Sequence, residues 1–295
     1  MAEETLEEKV LRNEPESVEI TAEGLGPWSC SKLKVAEQCP LNLYLKYVVK
    51  LKHPPKYSLV TDVGKAVHRI LEFVVMGKTI TEAFAATRRE FRHMPDEVWE
   101  ENLLSTEFSI TEFRTRLDSF EKQHDVKRYV QELKVGFTRE YEPTGFFADD
   151  VFFRGVLDLG IQMGSGDLVI LDHKTGAPAL MGIRNFQTQL NTYKVLFHKG
   201  VEEIEGAQAG IHFVRDGKIL LDDYTDKTVI EGKLVRELEH NLQGVVDRIN
   251  DFGYFKKIRG GHCKWCDYNE VCKRGELSGI EADTRKYFPI KPVET

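Results

Sequence analysis

Residues 152–176 read FFRGVLDLGIQMGSGDLVILDHKTG, two hydrophobic runs separated by a glycine-rich turn. With the turn centred on Gly164-Ser165-Gly166, Asp158 and Asp172 stand equally far from Ser165 and face each other across an antiparallel pair. Opposed side chains in such a pair lie about 4.5–5.5 Å apart, and like charges there repel. Side chains alternate along a strand, so Asp172 and Lys174 share one face while His173 points to the other. Two carboxylates forced together beside an ammonium make a poor structural choice and a good site for a divalent cation.

The surrounding pattern predicts an α/β fold. Residues 28–50 suggest a short helix, a break at Cys39-Pro40, and a second helix beginning at the proline. Residues 62–76 form an amphipathic helix with Val67, Ile70, Leu71 and Val74 at core spacing. Two charged stretches, about 80–92 and 107–131, are expected to be helical and to form an inserted region or lid at about 78–131. A strand at about 134–142 then precedes the aspartate hairpin, whose strands cover 151–162 and 168–174. Residues 184–198 return to helix. Strand 207–214 pairs with 218–224 through Asp216-Gly217, a strong hairpin signal. A long helix at about 228–252 leads to a loop-rich end. Helix, strands, helix, strands, helix indicates a mixed sheet flanked by helices.

Composition narrows the function. No apolar run reaches the roughly 18 residues that a membrane helix needs. The N-terminus is acidic and lacks the apolar centre of a secretion signal, which leads us to expect an intracellular, cytoplasmic protein with residues 1–20 as a mobile tail. A second tail is expected at 277–295, with one domain over 21–276. A net charge of −7 argues against coating nucleic acid by bulk attraction, but an enzyme needs only a local basic groove. Lys46, Lys50, Lys52 and Lys56, or Lys256, Lys257, Arg259 and Lys264, are candidates for that groove; a solvated lysine-rich face is the plainer alternative.

Hydrolysing a phosphodiester requires neutralising the phosphate, generating hydroxide nearby and stabilising the leaving oxygen, work suited to hard divalent cations held by carboxylates. Asp158 and Asp172 are the expected metal ligands, with the His173 backbone carbonyl as a further oxygen ligand. Lys174 is placed to orient water or stabilise transition-state charge. Magnesium prefers oxygen ligands. His68 and Glu72 lie four apart on one helix face, and His68 is a candidate extra ligand; imidazole suits manganese better than magnesium. Gln189 and Tyr193, again four apart, offer an amide and a phenol for phosphate or base contacts. Glu140 is a weaker candidate for assisting the site.

Taken in order, G-x3-H-x2-L-E at 64–72, G-V-L-D at 155–158, D-H-K-T-G at 172–176 and Q-x3-Y at 189–193 resemble the RecB-like branch of the PD-(D/E)XK nucleases. The resemblance spans roughly 28–275. The residue before x-K is aspartate here, and no proline precedes Asp158, as is common in that branch. It implies a restriction-endonuclease-like core and a DNA nuclease using Mg²⁺ or Mn²⁺, with His68, Asp158, Asp172 and Lys174 at the metal centre. It also implies a role near the DNA for Gln189 and Tyr193. The activity it suggests is an exonuclease on single-stranded DNA or the ends of linear duplex, in recombination, repair or viral DNA processing. A helicase or strand-annealing protein would be its partner. A CRISPR adaptation nuclease ranks second, because the 78–131 stretch makes this chain longer than compact members with that role. A non-catalytic DNA-binding module is disfavoured by the complete set of acid, acid and lysine.

Cysteines stand at 30, 39, 263, 266 and 272. Inside a cell they are expected to be reduced. Cys263, Cys266 and Cys272 crowd a loop-rich segment of little hydrophobicity, which suggests a metal holding it. Cys39 is the preferred fourth ligand, with Cys30 and His262 as competitors. Four thiolates fit zinc or an iron–sulfur cluster, and spacing does not separate the two. One cysteine before the nuclease motifs and C-x2-C-x5-C after them resembles the iron–sulfur nucleases. That likeness implies a structural 4Fe–4S staple, with zinc as the alternative.

Overall fold

The computed structural model describes residues 20–51, 59–176, 182–252 and 255–273. The expected acidic tail, the lysines at 52 and 56, the loop around Pro178 and the C-terminal tail lie outside those residues. The chain divides into two compact units, residues 57–235 and residues 1–56 with 236–295.

The 57–235 unit is built on one seven-stranded mixed sheet. Its strands are β1 (Val126–Phe137), β2 (Pro143–Thr144), β3 (Phe153–Met163), β4 (Asp167–Lys174), β5 (Gly206–Phe213), β6 (Lys218–Leu221) and β7 (Thr225–Asp226). The order is β2-β1-β3-β4-β5-β6, with β7 also paired to β5. β3 and β4 are antiparallel with Leu159 opposite Leu171 and Gln162 opposite Leu168, the register the turn residues predict. Gly166 closes that turn at a φ of 91°, a conformation open to glycine and costly for other residues. β4 and β5 are parallel, which requires a crossover connection. The helix over Gln187–Gly200 lies in it.

One face of the sheet carries α3 (Leu59–Val75), α4 (Ile80–Glu90), α5 (Asp96–Asn102) and α6 (Glu107–Gln123). Val67, Ile70 and Val74 of α3 share a buried cluster with Phe84, Trp99, Phe113 and Leu117, closed below by Leu159, Ile161 and Leu171. The helices at 80–123 therefore belong to the main apolar core of this unit. The stretch expected to stay helical to 131 is helical only to Gln123, and β1 begins at Val126 rather than at 134. The tyrosine and valines of Val126-Lys127-Arg128-Tyr129-Val130 favour a strand, and the cross-strand pairing with β3 outweighs the charged, helix-like composition before them.

The other face carries α7 (Gln187–Gly200). It comes unusually close to β3: a Cβ on Gly155 would stand 2.5 Å from Leu196 Cδ2. Its position is fixed by a buried ion pair, Lys194 Nζ to Asp222 Oδ2 at 2.8 Å, and Lys194 also donates to Thr225 Oγ1 at 2.8 Å. Asp222 is satisfied further by the Ala209 amide, so neither charge is left buried and unpaired.

The second unit contains α1 (Cys30–Gln38), α2 (Pro40–Leu43) and a wider helical turn over Tyr44–Val48. Most of α8 (Val235–Phe252) and the short α9 (Asn269–Lys273) complete it. Ser29 caps α1 by accepting the Lys32 amide. Pro40 opens α2, where its missing N–H costs nothing. Chain segments distant in sequence are tied together here: Leu41 N–H donates to Lys256 O, Arg248 to Glu37 O, and Tyr268 Oη to Leu51 O. Tyr44 and Phe255 rings pack 4.8 Å apart. Among the described residues, no helix is long and apolar enough to cross a membrane.

Candidate metal centre

The sheet brings four of the expected groups to the C-terminal end of β4. Asp158 Oδ2 accepts the backbone N–H of His173 at 2.7 Å, locking the β3 carboxylate against β4 beside Asp172. On Asp172, Oδ1 receives Gln189 Nε2 at 2.9 Å and Tyr193 Oη at 3.1 Å. Oδ2 has Lys174 Nζ at 2.6 Å. That buried Oδ2 meets no hydrogen-bond geometry, and the Lys174 ammonium is the charge that faces it. Gln189 and Tyr193, expected to meet phosphate or base, thus hold the aspartate.

Strand parity holds for β4. His173 turns away from Asp172 and Lys174 and meets Phe113 edge-on, with its Nδ1 3.0 Å from His212 Nδ1. Burial holds the His173 imidazole well below its ordinary pKa, and burial followed by the Arg116 charge pushes His212 down to about 4. Both rings are therefore neutral supports beneath the site. The His173 carbonyl, expected as a ligand, accepts from His68 Nε2 at 3.1 Å. That contact turns His68 Nδ1 toward the carboxylates, 3.7 Å from Asp158 Oδ2 and 3.4 Å from Glu132 Oε1.

Glu132 is the functional group that sequence reasoning missed. On β1, Gln131 pairs with Leu159 and Leu133 with Leu157, which sets Glu132 directly across from Asp158. Its φ is 45°, a left-handed conformation that an ordinary strand residue avoids. Strained backbone of this kind persists where the surroundings over-determine it, and it clusters at functional sites. His68, Glu132 and Asp158 each offer a ligand atom within 4.8 Å of the others. Glu140 is displaced from the site: it sits in an exposed turn beyond the end of β1. Glu72, on the His68 helix, is occupied by Arg69 at 2.6 Å.

The electrostatics fit a cation. Burial and then the Asp172 charge push the Asp158 carboxyl up to about 7. Burial opposes charge on His68, but the hydrogen bond to Glu132 and the Asp158 charge outweigh it and raise its pKa. Carboxylates held this close in a desolvated site keep protons unless a metal replaces them.

A family model for the PD-(D/E)XK nuclease superfamily matches residues 27–273. The chain belongs to the PD-(D/E)XK nuclease superfamily. Members of that superfamily use Mg²⁺ or Mn²⁺, and the mixed sheet flanked by helices is their fold class. No curated protein matches this sequence. A solved structure titled "Crystal structure of SSO0001" is 14% identical, covers 82% of this chain and 84% of its own, and aligns with a TM-score of 0.32.

In the other unit, Cys39, Cys263, Cys266 and Cys272 all line one cavity. Backbone amides point at two of the sulfurs: Ile258 N–H to Cys39 Sγ at 3.5 Å and Gly260 N–H to Cys263 Sγ at 3.4 Å. Burial raises the Cys266 thiol pKa, and the neighbouring Cys39 and Cys263 add to it. Cys30 lies at the start of α1 and does not line the cavity; His262 does, with its Nε2 3.1 Å from Ile258 O. Two members of the supposed basic groove are drawn in here: Lys257 and Arg259 line the same cavity, and Lys257 donates to Cys272 O. Lys46 pairs with Asp267.

Proposed function

We propose that this chain is a metal-dependent DNA exonuclease acting on single-stranded DNA or the ends of linear duplex. The observation that carries the reading is the convergence of His68, Glu132 and Asp158 on one side with Asp172 and Lys174 on the other, at the end of one buried strand. Asp158, Asp172, Glu132 and His68 would hold Mg²⁺ or Mn²⁺, and the mixed carboxylate–imidazole set suits manganese at least as well as magnesium. A metal in that site supplies positive charge to the phosphate and lowers the pKa of water.

The protein groups divide the remaining work. Lys174, held over Asp172 Oδ2, is free to shift to the non-bridging phosphate oxygens as charge builds there. Gln189 and Tyr193 keep Asp172 Oδ1 occupied, so its carboxylate cannot rotate away. The His173 peptide fixes Asp158 through its N–H and His68 through its carbonyl, joining both to one rigid strand.

The four-cysteine cavity supports a 4Fe–4S cluster as a structural staple of the second unit, with zinc as the competing occupant. Amides directed at the sulfurs suit thiolate ligands of either kind. The biological setting favoured by this activity is end processing in recombination, repair or viral DNA metabolism, with a helicase or strand-annealing protein supplying the ends.

End-labelled DNA incubated with Mn²⁺, with products sized over time, tests the reading. Stepwise shortening from an end is expected, lost in Glu132→Gln and retained in Glu140→Gln. Absence of cleavage with both Mn²⁺ and Mg²⁺ overturns it, and cleavage only at internal positions overturns the exonuclease part.

A further inference from the structure

Helix α3 carries a glycine four residues before His68, on the same face. Glycine inside a helix is destabilising relative to alanine. Among the described residues, a Cβ on Gly64 would meet only Thr175 Oγ1, at an ordinary 3.7 Å, which gives no steric reason for the glycine. Gly64 instead borders an open cavity of about 370 Å³. His68 and Glu132 of the candidate metal centre line that cavity together with Glu90 and Phe91, at the end of α4.

Arg69 is fixed in the wall, donating to Glu72 at 2.6 Å and to Glu90 at 2.9 Å, with its guanidinium over the Phe73 ring at 4.1 Å. Phe91 is half-buried and packs against the apolar core behind it. Lys65 and Arg69 are outnumbered by Glu72, Glu90 and Glu132, so the cavity itself does not attract a phosphate. It offers an aromatic ring and fixed polar groups, which suit a nucleobase. Its volume lies at the lower end of small-ligand pockets.

We propose that this cavity is a subsite for one unpaired nucleotide adjacent to the scissile phosphate, its base toward Phe91 and its backbone passing over the bare Gly64. The proposal rests on the nuclease reading and narrows the two substrates named there to the single-stranded one. A paired base inside a duplex is stacked on both faces and cannot enter such a pocket without being extruded. A glycine where a ligand backbone must approach closely is a recurrent use of that residue.

The test compares wild type, Gly64→Leu, Gly64→Ala and Phe91→Ala on an end-labelled single-stranded DNA and on the same sequence as a blunt duplex, with Mn²⁺. Thermal melting and Mn²⁺ binding by electron paramagnetic resonance are measured alongside. Wild type is expected to favour the single strand. Gly64→Leu is expected to raise KM for the single strand roughly tenfold or more, and Phe91→Ala by roughly 5-fold or more, given the usual worth of one base–aromatic stack. Gly64→Ala, which adds helix propensity, should melt no lower than wild type, and Mn²⁺ affinity should be unchanged in all three. Unchanged KM in both Gly64→Leu and Phe91→Ala overturns the subsite while leaving the nuclease intact, as does a wild-type preference for the blunt duplex. A wild type inert on both DNAs overturns the nuclease reading, and the subsite with it.

Discussion

Asp158 and Asp172 are fourteen residues apart and meet because a hairpin folds one strand back on the next. Cys39 and Cys263 are 224 residues apart and line one cavity. The first site draws its geometry from backbone pairing: the same hydrogen-bonded ladder that makes the sheet also sets the carboxylates opposite each other. The second is held by a few scattered contacts, Leu41 to Lys256 and Tyr268 to Leu51 among them. A local site of the first kind tolerates loss of a side chain without losing the fold. A site that closes a long loop strongly restricts the unfolded chain, so a metal bound there would be part of stability.

The sharpest way to break that contrast is a pair of substitutions, one in each site. Lys174→Ala removes a partly exposed ammonium that stands 2.6 Å from Asp172 Oδ2. We expect DNA cleavage to fall by at least about 10²–10³-fold, the usual cost of a lost transition-state charge stabiliser. Iron or zinc content and thermal melting should not change. Wild-type cleavage in this variant would remove Lys174 from the mechanism. Cys266→Ala should do the reverse in order: metal content of the purified protein falls several-fold and solubility falls with it, before any direct effect on the sheet site. Cys30→Ala, outside the cavity, is the control and should keep its metal. Colour and iron analysis of the same samples decide between the cluster and zinc.

How far each region could be read in advance follows from the same contrast. The β3–β4 register was legible because a short glycine turn between two hydrophobic runs leaves one sensible pairing. The parity of Asp172, His173 and Lys174 followed from it without further assumption. Glu132 was hidden for a local reason. Its strand begins at Val126, two residues after α6 ends, so the charged run from Glu121 through Arg128 carries no break between helix and strand. Once β1 is seen to pair with β3, the mirror rule that joined the aspartates also finds Glu132, which lies as far before Gly145 as Asp158 lies after it. The roles of Gln189 and Tyr193 were out of reach for a tertiary reason. Their i, i+4 spacing shows a shared helix face, but only the Lys194–Asp222 pair and the close approach at Gly155 decide that this face meets Asp172. The cysteines were legible as a set by composition and spacing, and Cys39, preferred over Cys30 in the sequence, is the one of the two that lines the cavity.

A smaller effect separates the two sites by pH. The Asp158 carboxyl holds its proton to about 7 in the folded chain, because of burial and the Asp172 charge, and loses it near the ordinary carboxylate value when unfolded. The folded state then binds more protons between those limits, so this group's contribution to stability falls as pH rises from about 4 to 7. His68, also raised, acts in the same direction. The lowered His173 and His212 act oppositely, and the difference from a variant at Asp158 reports the aspartate together with the part of the His68 shift that its charge causes. With EDTA present, Asp158→Asn should gain stability relative to wild type between about pH 5 and pH 8, on the order of a few kcal/mol. Adding Mn²⁺ at about pH 8 should raise the melting temperature of wild type and not of the variant. Parallel pH profiles for the two proteins would show that Asp158 is not a strained, desolvated carboxylate.

The smallest expected change is the most discriminating about role. Tyr193 Oη and Gln189 Nε2 both donate to Asp172 Oδ1, and they also touch each other at 2.8 Å. Removing the phenol oxygen leaves the amide as donor, so Asp172 is loosened rather than freed. One hydrogen bond to a charged group, partly compensated, corresponds to a loss of roughly 3- to 10-fold in kcat/KM for Tyr193→Phe. If the tyrosine acts through Asp172, the loss appears in kcat and in Mn²⁺ affinity, and KM for DNA stays where it was. If it contacts the nucleic acid directly, as its helix position alone suggested, KM for DNA rises with salt-sensitive binding and Mn²⁺ affinity is untouched. Steady-state kinetics with DNA and Mn²⁺ each varied in turn separate the two. The geometry around Asp172 Oδ1 commits to the first, since the phenol is buried against the carboxylate with the amide at its side.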